Sequence, residues 1–240
     1  MNEIGEFFSS LGGAALQLLA HPFYYIAILL IVLQYRRQIY LERKLFHTKL
    51  HSLGNETGRA VVWGIIGGSA ASLILMMIGV SISPHMVYWI WGAVLFSILF
   101  RMRFLCLAYA AGLIAILQYI SLHLHPAGWP GWLSAWAEPV LASLQAVSIS
   151  TLLVLVAILH FVESIYVRHQ GDRMQTPLFL EGKRGKIVGG YQLQGFWPVP
   201  LILPLSTGGD AISWTSMLTS DFWQMGWHLA ALPVVVGFMD

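Results

Sequence analysis

Charge and cysteine are both scarce in this sequence. Only 10% of its 240 residues are charged and 57% are hydrophobic, whereas a soluble globular domain is about 45–50% apolar. The single cysteine, Cys106, has no second thiol in the chain with which to form a disulfide, and it lies in an apolar run, so we interpret it as a packing residue. The composition predicts a membrane-embedded chain that is too short to hold a soluble domain as well.

Both ends of the sequence lack the residues that usually flank apolar segments. The start, MNEIGEFF, contains no Lys or Arg, so it lacks the basic segment of a secretory signal peptide and the first helix is expected to be retained. The end, GFMD, follows an apolar run without the polar anchors that normally come after a last span. We therefore expect the natural chain to continue past Asp240.

Long apolar runs predict an all-α fold, with one transmembrane domain covering residues 1–240. The runs cover roughly residues 11–35, 60–80, 87–100, 104–121, 140–162, 196–205 and 222–238. A spanning helix needs about 20 apolar residues, so the short run 87–100 would rely on Arg101 and Arg103 to reach the interface. Three prolines in the run 196–205 predict a kinked span or a re-entrant segment. The expected architecture is a polytopic helical bundle of six or seven spans.

All thirteen Lys and Arg residues fall in alternate connections between these runs. Lys and Arg collect in short cytoplasmic loops because they resist translocation. Cytoplasmic loops are therefore predicted at 36–59, 101–103 and 163–195, with the N-terminus outside the cell. The protein is expected to be a multi-pass protein of a bacterial plasma membrane, with a cytoplasmic C-terminus if 196–205 crosses the bilayer.

Tryptophan and small residues have structural interpretations. In the predicted external loop 122–139, Trp129, Trp132 and Trp136 are spaced as on a short amphipathic helix at the interface, where indole rings act as anchors. The small residues near the span centres are interpreted as helix-packing positions rather than a transport path. They are Gly67, Gly68, Ser69, Ser72, Ser148, Ser150 and Thr151.

Histidine and acidic residues do not predict a reaction. His47 and His51 have a ligand-like spacing, but HTKLH lacks the glutamate of HExxH and its basic neighbours would repel a cation. His160 and Glu163 would share one helix face, where a helix-end hydrogen bond is favoured over a proton relay. The segment GKRGK does not match the phosphate-binding pattern GxxxxGK[ST]. We predict no catalytic residue, no cofactor, no metal and no nucleic-acid partner.

Three segments carry a family resemblance: HPFYY in the first span, YRRQIYLERKLFHTKLH after it, and TPLFLEGKRGKIVGGYQLQGFWPVPL late in the chain. Together they resemble the membrane half of the MinJ-like cell-division topology proteins of Gram-positive rods, over essentially all 240 residues. The resemblance implies a scaffold that links a DivIVA-like polar protein to a MinD-like division inhibitor and influences septum placement. That family also carries a cytoplasmic PDZ domain, which is not present in these residues, so no function that needs PDZ binding is implied.

Two functions remain open from the sequence. The first is a non-enzymatic membrane scaffold or adaptor, whose basic residues contact protein partners or anionic lipid and also orient the chain. The candidate contacts are Arg36, Arg37, Arg43, Lys44, Lys183, Arg184 and Lys186. The alternative is a membrane-embedded transporter or lipid-processing enzyme, which a polar, water-filled cavity would favour and a dry core would oppose. A homo-oligomer or membership of a larger complex is compatible with either function.

Overall fold

The computed structural model describes residues 2–47, 52–100, 106–124, 128–170, 175–181, 185–205 and 229–239. Along these residues the chain forms seven helices followed by three strands. The helices are α1 Asn2–Ala20, α2 Pro22–Phe46, α3 Leu53–Ile78, α4 Pro84–Phe100, α5 Leu107–His123, α6 Gly131–Gln145 and α7 Ile149–Gln170. The strands are β1 Gln175–Glu181, β2 Ile187–Pro204 and β3 Leu229–Met239. The described part is therefore mostly helical, as predicted, with a small sheet at its C-terminal end.

Two helices, α3 and α7, are each long and apolar enough to cross a bilayer, and α1 with α2 makes a third candidate if the two form one broken span bent by 56°. The predicted span 11–35 is thus two helices, which separate at His21 before the helix-starting Pro22. The predicted span 140–162 is also divided, because α6 ends at Gln145 and α7 begins at Ile149. The predicted loop 101–103 lies outside the described residues.

The all-α prediction is wrong for the last two apolar segments. Residues 196–205 were expected to form a kinked or re-entrant helix and residues 222–238 a helical span, but β2 and β3 pair there as antiparallel strands. Along β2, residues 197–201 are all buried, which is typical of a strand that is covered on both faces. The β-branched run in β3 is equally typical of strands. Residues 222–228 lie outside the described part of the chain.

Opposed prolines fix which edge of β2 faces β3. Pro200 lies directly opposite Pro233, and neither residue has a backbone N–H, so this pair is not hydrogen-bonded. Because hydrogen-bonded and non-hydrogen-bonded pairs alternate in an antiparallel ladder, the backbone groups of the even-numbered residues in this half of β2 point away from β3. On that outward edge, Pro198, Pro200 and Pro204 have no N–H to leave unpaired.

Helix α3 covers this outward edge of β2 through its glycines. A methyl group added to Gly64 would overlap the backbone carbonyl oxygen of Pro198, and one added to Gly68 would overlap that of Pro200. The contact repeats because the spacings of the two elements match: four helical residues rise about 6 Å, and two strand residues rise about 6.6 Å. Gly68 was predicted to pack against another helix; the structure places a strand there.

Two further backbone groups on the outward edge are hydrogen-bonded. The N–H of Ile202 donates to Ser72 Oγ over 2.9 Å, four residues beyond Gly68 on the same face of α3. The carbonyl oxygen of Pro204 accepts from the N–H of Ile82 over 2.9 Å. A strand at membrane depth needs such pairing, because no water is present there to satisfy backbone groups.

The core surrounds the β2–β3 hairpin. Buried side chains from α3, α4, α5 and α7 join those of both strands in one apolar cluster. At the end of the bundle where β2 enters it, the ring of Trp197 packs on Tyr166 of α7, with centroids 4.1 Å apart, and Tyr166 also packs on Trp63 of α3. On the opposite side, Ser10 of α1 accepts the N–H of Leu229 over 3.3 Å. The strands are thus enclosed by helices over much of their length.

Candidate functional site

The predicted basic contacts on the first cytoplasmic connection lie on a helix. Helix α2 continues to Phe46, so Arg36, Arg37, Arg43 and Lys44 are helical, and all four side chains are exposed. The predicted loop 36–59 therefore begins well inside α2. These charges form an outward-facing basic surface at the C-terminal end of the helix, where positive charge also complements the helix dipole.

A surface recess lies within this basic face. Arg36 and Arg43 line it with Ile39, Tyr40 and Leu53, and its volume is about 260 Å³. The two guanidinium groups are seven residues apart and so project from one side of α2. Two guanidinium groups beside an apolar floor fit the phosphate and upper acyl region of an anionic lipid.

The opposite face of this same stretch of α2 is buried and polar, which sequence reasoning missed. Gln34, Gln38 and Glu42 are 9%, 8% and 1% exposed, respectively. Their spacing of four residues places them on one helical face, and that regular spacing is the signal that could have revealed them. Helix α2 packs against β2 and β1, so the C-terminal half of α2 presents charge outward and polar groups inward.

Only one residue of the second predicted basic cluster, Lys186, lies within the described part of the chain. Lys183 and Arg184 fall outside the described residues, whereas Lys186 is exposed and follows Gly185, which has φ 70°. Strands β1 and β2 pair on either side of this segment, from Glu181 opposite Ile187 to Gln175 opposite Leu193. The predicted loop 163–195 is therefore the end of α7 followed by a β-hairpin.

Large apolar side chains are exposed near the tip of this hairpin. Phe179, Ile187 and Val188 are 56%, 74% and 52% exposed. Phe179 lies opposite Gly189 and shares a sheet face with Ile187, whereas Val188 projects from the other face. Among the described residues, no strand pairs with the edge of β2 opposite β1 along Ile187–Leu193. The β1–β2 hairpin thus combines exposed apolar groups with the exposed Lys186.

A thiol, an imidazole and a carboxylate meet between α5 and α7. Cys106 precedes α5, and its Sγ lies 3.3 Å from His160 Nε2. On the other side, His160 Nδ1 donates to the carbonyl oxygen of Val156 over 2.8 Å. Glu163 Oε2 lies 3.9 Å from His160 Nε2. Sequence spacing predicted that His160 and Glu163 share a face, but Cys106 was interpreted as a packing residue because nothing local links it to α7.

An apolar cavity of about 530 Å³ lies between α1, α3 and β2. Its walls include Leu11, Tyr24, Leu73 and Pro200, and its polar groups include the hydroxyls of Ser69 and Ser72. The cavity is lined mainly by hydrocarbon, so it resembles a lipid environment more than a water-filled transport path. The exposed tryptophans of the predicted interfacial segment lie elsewhere, on α6, where Trp132 and Trp136 are 72% and 77% exposed.

Within the described residues, no group of three or more His, Cys, Asp or Glu side chains is arranged to hold a metal ion. Comparisons of the chain with protein-family models, curated proteins and solved structures return no match.

Proposed function

We propose that this protein is a non-enzymatic integral membrane scaffold of a bacterial plasma membrane. In this proposal the helices and the β2–β3 hairpin anchor it through six or seven crossings, and the β1–β2 hairpin recruits a partner protein at the cytoplasmic surface. The observation that carries the proposal is the exposed apolar tip of that hairpin, formed by Phe179, Ile187 and Val188 beside Lys186. Exposed apolar groups rimmed by charge are typical of protein interaction sites.

The distribution of charge supports a cytoplasmic position for this hairpin. Arg59 lies near the start of α3, and the positive-inside rule places that end of α3 in the cytoplasm. Strand β2 runs in the same direction as α3, since Pro198 lies by Gly64 and Pro200 lies by Gly68. The first half of β2 therefore lies at the basic end of the molecule, and β1 lies there with it. The basic recess on α2 faces the same leaflet and supports contact with anionic headgroups.

The resemblance to MinJ-like proteins supplies the cellular role of the proposal. A scaffold in division-site selection would gather a DivIVA-like polar protein and a MinD-like inhibitor on the inner membrane surface. A hairpin with an unpaired strand edge suits this task, because an extended segment of a partner can add to it as a further strand. Two copies of the scaffold would bring two such hairpins together.

Site-specific photocrosslinking in bacterial cells tests the proposal. A diazirine analogue of leucine is placed at position 187, on the hairpin, and in a matched variant at position 153, where Leu153 of α7 is 60% exposed. We expect position 187 to capture polarity or division proteins and position 153 to capture lipid. Protein adducts of equal yield at both positions, or only lipid at position 187, would contradict the proposed scaffold.

The apolar cavity favours a second candidate, a lipid-binding or lipid-processing protein. Leu73 lines this cavity and is 52% exposed, so the cavity opens toward the surroundings of α3. The same diazirine analogue at position 73 distinguishes this candidate. Selective capture of one lipid species at position 73, but not at position 153, would support it, whereas the same bulk lipids at both positions would argue against it.

A further inference from the structure

We propose that Cys106 is an S-acylation site, at which a long-chain acyl thioester transfers its acyl group to the thiol with His160 as the base. The observations that carry this inference are the contacts among Cys106, His160 and Glu163, and it goes beyond the scaffold function. The sequence does not show the cluster, because 54 residues separate the thiol from the imidazole.

The hydrogen bonds of His160 define which nitrogen can act as the base. The carbonyl oxygen of Val156 can only accept a proton, so Nδ1 of His160 must carry the hydrogen of their 2.8 Å bond. In the neutral imidazole, Nε2 is then unprotonated. This is the nitrogen that lies 3.3 Å from Cys106 Sγ, so the imidazole is in the tautomer that accepts the thiol proton.

Glu163 is the third member of the cluster. Its side chain is only 8% exposed, and its ion-pair partner is His160. Its oxygen lies 3.9 Å from His160 Nε2, where it would stabilise the imidazolium that forms when Nε2 takes up a proton.

The transfer balances in atoms and electrons. The sulfur of Cys106 attacks the carbonyl carbon of the acyl thioester while its proton passes to His160 Nε2. A new S–C bond forms, the S–C bond of the donor breaks, and the leaving thiolate takes the proton back from the imidazolium. An ordinary cysteine thiol is mostly protonated at about pH 7, so the proton must leave during attack.

The surroundings of the cluster favour an acyl group as the cargo. His160 is 43% exposed and so remains open to a donor. The neighbouring Phe161 is 57% exposed and Ile165, one turn further along α7, is 44% exposed, which gives a hydrocarbon chain an apolar path into the bilayer. In the sequence, Cys106 comes three residues after Arg103 and directly before α5, and cysteines next to a membrane-associated helix are common acylation sites. An acyl chain attached here would add a membrane anchor.

Acylation of the full chain in lipid nanodiscs tests this inference. The protein is incubated with palmitoyl-coenzyme A as the probe, and intact-mass spectrometry follows the gain of one acyl group and its release by neutral hydroxylamine. We expect the wild-type protein to gain one hydroxylamine-sensitive acyl group and Cys106→Ser to gain none. Because a general base contributes about 100-fold or more, His160→Gln is expected to slow acylation by at least that factor.

The matched control is His169→Gln, at an exposed histidine in the last turn of the same helix, which should acylate at the wild-type rate. Thiol titration of the wild-type protein and of the two histidine variants after denaturation confirms that Cys106 is intact, and thermal unfolding confirms that every variant is folded. The inference is overturned if the wild-type protein gains no acyl group. It is overturned equally if Cys106→Ser is acylated, or if His160→Gln reacts as fast as the control.

Discussion

The packing of β2 on α3 makes a strong prediction about Gly68. In Gly68→Ala the added methyl would overlap the carbonyl oxygen of Pro200 and lie 2.9 Å from its Cδ. Both obstructing atoms belong to a strand that is paired on its far side with β3, so relief requires α3 to move away from the sheet. Overpacking of this kind costs about 1–3 kcal/mol, and the rigid backbone places this site at the upper end.

The substitution also stabilises helix α3, and this stabilisation must be subtracted from the cost of overpacking. Alanine is favoured over glycine in a helix interior by about 1 kcal/mol, so the net loss at Gly68 is about 2 kcal/mol. For a chain of this size that corresponds to a Tm lower by roughly 4–8 °C. The matched control is Gly58→Ala in the same helix, where nothing lies within 4 Å of the added methyl and the Tm should stay the same or rise.

Thermal unfolding of the purified protein in detergent micelles, followed by loss of monodisperse protein after heating, measures both variants. The informative quantity is the difference in Tm between the two variants. Both substitutions raise helix propensity by the same amount, and only the methyl group at position 68 overlaps the strand. If Gly68→Ala unfolds at or above the temperature of Gly58→Ala, the close packing of β2 on α3 is refuted.

Two further variants test the polar contacts. Ser72→Ala removes the acceptor of the Ile202 N–H and leaves that donor buried, so we expect the free energy of unfolding to fall by about 1–3 kcal/mol in the same assay. The control is Ser69→Ala, at an exposed serine, which should have little effect. Equal losses in the two variants would contradict the assigned hydrogen bond. Arg43→Ala removes one charge from the α2 recess and should weaken binding to vesicles containing phosphatidylglycerol about fivefold, which corresponds to about 1 kcal/mol. The control, Lys44→Ala, should weaken this binding less. An equal effect of both substitutions would show that only net charge matters.

The helical part of the fold was predictable because hydropathy and helix length follow from local sequence. The cores of α3 and α7 coincide with predicted runs, and the break at His21 was marked by Pro22. The C-terminal sheet was not predicted, because an apolar run alone does not distinguish a strand from a helix. Alternating prolines at positions 198 and 200 contained the missing signal, since proline is tolerated where an N–H points away from the ladder.

Some candidate sites were predictable from the sequence, and others became visible only in the structure. The basic residues on α2 were predicted as contacts from charge alone; Arg43 is exposed, and its contact with lipid or a partner stays a prediction. The cluster of Cys106, His160 and Glu163 required tertiary structure, since only the last two are close in sequence. The exposed hairpin tip could not be predicted either, because the sequence does not distinguish Ile187 and Val188 from buried apolar residues until their strand pairing is known.

The β2–β3 hairpin and α3 together explain how strands can lie in an apolar bundle. A strand edge exposed to hydrocarbon would leave unpaired backbone groups, each costing several kcal/mol. Prolines remove three donors from the outward edge, the hydroxyl of Ser72 accepts from the N–H of Ile202, and glycines let α3 approach the carbonyl oxygens of Pro198 and Pro200 closely. These features depend on one another, since glycines without prolines would leave donors unpaired and prolines without glycines would keep the helix away. Substitutions at Gly68 and Ser72 should therefore be less than additive when combined, because Gly68→Ala already moves α3 away from β2 and so weakens the hydrogen bond that Ser72→Ala removes.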